Sequence, residues 1–93
     1  MLKTLENLIS TIRQKKTSPD EKSYTSKLLR DKNLSVEKVK EEIAELIEAV
    51  ENNSNTVHEA ADVLYHLLVY LEGNGVRIED IMLELEKRRK KES

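Results

Sequence analysis

Apolar residues recur along this chain at the three- and four-residue intervals of a helix, with no convincing strand alternation. Leu2, Leu5, Leu8, Ile9 and Ile12 mark a first helix over residues 2–16. Pro19 disfavours helical backbone at Ser18, so a polar loop is expected over residues 15–22. Tyr24, Leu28 and Leu29 suggest a short second helix, with Ser23 as its N-cap and Asp31, Lys32 and Asn33 as its terminator. Ser35 is expected to cap the third helix, with Glu37 in the first turn where the helix dipole favours an acid. Val36, Val39, Ile43, Leu46, Ile47 and Val50 form its narrow apolar stripe, and Asn52, Asn53, Ser54 and Asn55 break the pattern. The fourth helix spans residues 56–72, with Val57, Ala60, Ala61, Leu64, Leu67, Leu68 and Leu71 as its core face. Asn74-Gly75 is a turn signal. Ile78, Ile81, Met82 and Leu85 share one face of a fifth helix, which frays into the basic tail from Lys87 to Lys91. The expected fold is all-α: one domain over residues 1–93, a bundle of about four main helices plus one short helix.

Acids occupy unexpected places in this pattern. On the third helix, Glu42 and Glu45 lie to one side of the apolar stripe and are neighbours three residues apart, with Glu41 further out. On the fourth, Glu59, Asp62 and His66 lie opposite the core face, interleaved with Val63, Val69 and Tyr70. A helix apolar nearly all round is buried on more than one side, which places Glu59 and Asp62 in a partly enclosed setting. Burying carboxylates without partners costs several kcal/mol each by order of magnitude. Two facing carboxylate pairs would make an oxygen-only cage, which suits a hard divalent cation, Mg²⁺ first and Mn²⁺ second. The competing account is a solvated acidic face, with Lys38 and Lys40 as salt-bridge partners.

Composition sharpens this. The 93 residues include no Cys, Trp or Phe, so disulfides and thiolate metal sites are excluded, and the core must come from aliphatic side chains. Charged residues make up 37%, and the net charge of −2 argues against generic nucleic-acid binding. No apolar run approaches the roughly 20 residues of a membrane span. A reducing, cytoplasmic setting is compatible with the missing cysteine. So small a chain with so thin a core also suits association with a second copy.

Glu41-Glu42-Ile43-Ala44-Glu45 followed by Glu59-Ala60-Ala61-Asp62 resembles the acidic signature of the MazG-like all-α nucleotide pyrophosphohydrolases. The stretch Ser23-Tyr24-Thr25-Ser26-Lys27-Leu28-Leu29 narrows the resemblance to the phosphoribosyl-ATP pyrophosphohydrolase family. Lys38-Val39, the run from Glu59 to Val69, and the ending from Ile78 to Arg88 are also similar. Two departures are Lys40 and Asn33, where the family commonly has Gly. The resemblance implies hydrolysis of phosphoribosyl-ATP to phosphoribosyl-AMP and pyrophosphate, the second step of histidine biosynthesis. It also implies an obligate dimer that completes the bundle and shares the active sites.

Under that resemblance, Glu42, Glu45, Glu59 and Asp62 are the expected metal ligands, with Glu41 orienting water or supporting from outside. Lys27 is the first candidate for phosphate contact. Ser23, Tyr24 and Thr25 are candidates for phosphate or ribose, and Lys40, Arg88, Arg89 and Arg13 are weaker ones. His66 is a general acid, a metal ligand or, as the preferred reading, a hydrogen-bonded structural histidine at the subunit interface. Tyr65 and Tyr70 are expected to pack. Two alternatives stand beside this: a MazG-like enzyme acting on another nucleoside triphosphate, and a non-catalytic helical oligomerisation module.

Overall fold

In the computed structural model, which describes residues 2–92, the chain forms five helices: α1 (Leu2–Thr17), α2 (Tyr24–Arg30), α3 (Lys32–Asn52), α4 (Thr56–Gly73) and α5 (Ile78–Glu92). Lys15 and Lys16 close α1 against the negative end of its dipole, just before Pro19. Ser23 caps α2 as expected, its hydroxyl accepting the Ser26 N–H at 3.2 Å. The next boundary differs from expectation. Asp31 is a one-residue joint: its N–H donates to the Lys27 carbonyl, and its side chain accepts the Leu34 N–H at 3.0 Å. One residue thus ends α2 and starts α3 at Lys32. Asp31, Lys32 and Asn33 are therefore no loop, and Ser35 is not a cap but a buried position inside the helix.

Asn53 and Asn55 both adopt left-handed backbone between α3 and α4, with φ of 53° and 57°. Asn tolerates that region better than most residues, and so short a connection folds α3 and α4 into a hairpin. Gly75, at φ 77°, turns the chain from α4 into α5.

The core lies at one end of the hairpin. Ile9 and Ile12 of α1, Leu28 of α2, and Leu68 and Val69 of α4 form it, bordered by Leu5, Leu8, Leu29, Leu34, Tyr65 and Ile78. α5 contributes no buried residue. Arg13 ties its start to the rest, donating to Glu72 at 2.9 and 2.8 Å and also to Glu79. Glu72 accepts the Ile78 N–H as well, and Lys16 donates to the Glu72 carbonyl. Arg13, weighed above as a substrate cation, is committed to this clamp.

The predicted core face of α4 is corrected in part, since Leu68 lies in the core but other members do not, and the apolar stripe of α3 lies largely open. Ile43, Ile47 and Val50 of α3, and Val57, Ala61 and Leu64 of α4, are exposed in the single chain, Val57 at 84%. The residues of α3 that are buried are Ser35, Glu42 and Ala49, and on α4 they are His66, Leu68, Val69 and Glu72. The hairpin therefore closes through a seam of small and acidic residues and turns much of its aliphatic surface outward. The physical reason is a shortage of covering surface. Among the described residues, α1, α2 and α5 pack against α4, whereas α3 meets only α2 and α4, so no further helix lies over the stripe.

Candidate metal centre

The seam carries the acids. Glu42 projects from the middle of α3 at 6% exposure, and Glu59 and Asp62 project half-buried from the first turns of α4. Single carboxylate oxygens of Glu42, Glu45 and Glu59 lie within 4.8 Å of one another. His58, Glu59 and Asp62 also bring one ligand atom each within 4.8 Å, so Glu59 joins both groups. Glu42 Oε2 and Glu59 Oε2 are buried and have no hydrogen-bond partner.

The electrostatics follow. Burial raises the Glu42 carboxyl above its ordinary range, the charges of Glu45 and Asp62 push it further, and Lys38 opposes them. Glu59 is raised by loss of solvent around its carboxyl and then by Glu45. The first protein cation at the site is Lys38, with Nζ at 3.0 Å from Glu41 and 3.5 Å from Glu42. It sits one turn from Glu42 on α3, the spacing at which helix side chains meet.

Open carboxylate oxygens converging from two helices match the donor chemistry of a hard divalent cation, and a cation there would relieve the repulsion that lifts Glu42. A polar recess of about 320 Å³ opens beside Glu45 and Glu59, lined also by Glu48, Asn52 and Asn55. The larger groove, about 930 Å³ and mostly apolar, lies between α1 and α5 and includes none of these acids.

α2 flanks the acids through Tyr24, whose hydroxyl is raised above its usual range by burial, with Lys38 and Glu42 among its charged neighbours. Tyr24 and His66 are hydrogen-bonded at 2.9 Å, and Thr25 is bonded to the Tyr65 hydroxyl. Lys27 is exposed on the same short helix, and Ser23 is occupied as its cap. Glu41 is exposed and paired with Lys38. Lys40 leans toward Glu37 at 4.0 Å, away from the acids. Arg88 is paired with Glu84 on α5, a helix that makes no contact with α3. Arg89 is likewise paired within α5, with Glu86. Both therefore stand apart from the acids within one chain.

Four side chains bear on the site besides the predicted acids. Lys38 and His58 were each legible as i, i+4 partners of Glu42 and Asp62, a spacing also common on ordinary charged helices. Tyr65 packs against Tyr24 with ring centroids 6.2 Å apart, but also uses its hydroxyl. His66 is buried and has both ring nitrogens engaged by protein groups.

The phosphoribosyl-ATP pyrophosphohydrolase family model matches residues 5–89. The chain is 43% identical over 94 residues to the phosphoribosyl-ATP pyrophosphatase of Methanoregula boonei, covering 96% of this chain and 90% of that protein. The enzyme of the same name from Methylobacterium nodulans is 43% identical over 88 residues, covering 91% and 82%. The chloroplastic histidine biosynthesis bifunctional protein of Arabidopsis thaliana is 42% identical over 92 residues, covering 94% of this chain and 33% of that protein. The chain thus spans about a third of that bifunctional relative and most of the single-function ones. No helix among the described residues is long and apolar enough to cross a membrane.

Proposed function

The chain belongs to the phosphoribosyl-ATP pyrophosphohydrolase family, and on that premise we propose that it hydrolyses phosphoribosyl-ATP to phosphoribosyl-AMP and pyrophosphate, as a Mg²⁺-dependent cytoplasmic homodimer in histidine biosynthesis. The observation that carries the reading is the meeting of two acid rows whose buried oxygens, on Glu42 and Glu59, lack partners.

Glu42, Glu45, Glu59 and Asp62 would hold the cation, with Mn²⁺ as an alternative to Mg²⁺. When bound, it would neutralise charge on the phosphate chain and favour ionisation of water near neutral pH. The chain's own groups do the rest. Glu41 orients the water that attacks the α-phosphorus, and the bond to the bridging oxygen breaks as pyrophosphate leaves. Lys38, in contact with both Glu41 and Glu42, lies where a phosphate oxygen can replace a carboxylate as its partner. Lys27 and Thr25 of α2 receive the phosphates and ribose, and Tyr24 borders them through its ring, its hydroxyl being bonded to His66. The outward aliphatic stripe of α3 and α4 is the surface that a second copy would cover, since a patch of this kind marks an interface.

Product analysis with phosphoribosyl-ATP and with plain nucleoside triphosphates, each with and without Mg²⁺, tests the activity. Pyrophosphate release from phosphoribosyl-ATP alone is expected. Turnover of common triphosphates with none of phosphoribosyl-ATP would replace this substrate by another. Sedimentation tests the dimer, and a monomer at micromolar concentration removes it.

A further inference from the structure

α2 has seven residues, too few for a helix to hold itself in place. Leu28 and Ser26 root it in the core. The turn that faces the acids is held differently, by two consecutive side-chain bonds to consecutive residues of α4: Tyr24 to His66 and Thr25 to Tyr65.

The His66 bond has a defined sense. Nδ1 lies 2.8 Å from the Asp62 carbonyl oxygen, which can only accept, so Nδ1 carries the proton. In the neutral ring Nε2 is then an acceptor, and the Tyr24 hydroxyl donates to it at 2.9 Å. The ring is buried at 6% exposure and packs edge-on against Tyr24 and Tyr65, with centroids 5.7 and 5.0 Å away. His66 thus spans from the backbone of an acid-bearing turn to the Tyr24 hydroxyl of α2, which has Lys38 and Glu42 among its charged neighbours.

We propose that His66 is a positioning residue: through the Tyr24 hydroxyl it latches α2 to α4, holding Thr25 and Lys27 at the edge of the acid cluster to receive substrate phosphate. The proposal rests on the phosphohydrolase reading above. It gives His66 neither a proton-transfer step nor a ligand role, because both its nitrogens are spent on the latch.

The test separates binding from turnover. His66→Phe keeps a ring and loses the acceptor; Tyr24→Phe loses the donor at a partly exposed site and leaves packing intact. Each is expected to raise KM for phosphoribosyl-ATP about tenfold, the worth of one ordinary net hydrogen bond, with kcat within about twofold. The double variant is expected to be no worse than either single one, since both remove the same bond. His66→Gln places an amide oxygen near the Nε2 position and is expected to restore KM. A residue that merely supported the fold would lower melting temperature and active fraction, and so kcat, while leaving KM in place.

Amide hydrogen exchange over residues 24–30, measured without substrate, is expected to speed up in both Phe variants and to return to the parent rate in His66→Gln. Unchanged exchange and KM in Tyr24→Phe, or effects that multiply in the double variant, overturn the latch. If the parent protein ignores phosphoribosyl-ATP but cleaves a plain nucleoside triphosphate, the substrate assignment fails. The same KM comparison on that triphosphate then decides the latch.

Discussion

Glu42 and Glu72 are both almost wholly buried, at 6% and 3% exposure, yet one is surrounded by other acids and the other by donors. Glu72 takes two hydrogen bonds from Arg13 and one from the Ile78 N–H. Its pKa is lowered, first by the Arg13 hydrogen bond, and Glu79 on the same guanidinium falls to about 2 for the same leading reason. Glu42 has Lys38 at one oxygen and no hydrogen-bond donor at the other, and its pKa is raised. A buried carboxylate with a full set of donors is part of the framework. One left open beside two other acids costs stability, which makes sense if its partner arrives from outside the chain.

The sharpest way to break this contrast is chemical. Glu42→Gln and Asp62→Asn are expected to lower kcat on the order of a hundredfold or more and to abolish Mg²⁺ binding by calorimetry, with the helical circular dichroism intact. Arg13→Met should retain Mg²⁺ binding. A folded, fully active Asp62→Asn would remove the metal assignment.

Stability should divide the other way. Arg13→Met leaves Glu72 buried without its cation, keeping the Ile78 N–H as a donor, and is expected to cost about 2 kcal/mol, less than for a fully buried pair because Arg13 is one-third exposed. Glu42→Gln is expected to stabilise the metal-free protein by about 1 kcal/mol, as relief of an uncompensated charge. Urea unfolding measures both, and a destabilised Glu42→Gln would contradict the contrast.

The two regions should also respond oppositely to pH. Glu72 and Glu79 have depressed folded pKa values, so their contribution is present above the ordinary 4.5 and is lost as pH falls through it, toward about 2 for Glu79. Glu42 and Glu59 have raised values, so they favour the folded state below 4.5, and that contribution is lost as pH rises through 4.5 toward their folded values. Arg13→Met should flatten the acid limb of a stability profile, and Glu42→Gln should lessen the decline on the other side. The same slopes in both variants would show that the two sets of acids are not distinct.

The smallest effect compares neighbouring lysines. Lys40→Ala, at an exposed position with only a 4.0 Å contact to Glu37, should change stability by no more than about 0.5 kcal/mol and leave KM unaltered. Lys38→Ala should raise KM. Equal effects would put Lys40 back among the substrate cations.

Element type was readable because helix periodicity and caps are local. Leu2 to Ile12, Pro19, Ser23 and Asn74-Gly75 act over a few residues, and four helices fall close to where those signals put them. α3 was displaced because Asp31 serves two helices at once, which no one-helix signal reveals. The unusual placement of the acids was also visible, since Glu59 and Asp62 interrupt an apolar surface. The inward face of α1, with Leu5, Leu8, Ile9 and Ile12, was legible too, whereas that of α3 and of the first half of α4 was not. Periodicity describes a stripe without saying what covers it, and the aliphatic stripe of α3 lies outward while Ser35, Glu42 and Ala49 form the seam.

By itself, then, the sequence determined five helices and the two rows of acids carried on α3 and α4, because these depend on neighbours along the chain. Tertiary structure alone decided that Glu42 would be left open while Glu72 was satisfied, and that His66 would reach Tyr24. Those outcomes depend on which donors, from residues as distant as Arg13 and Tyr24, arrive within hydrogen-bond distance.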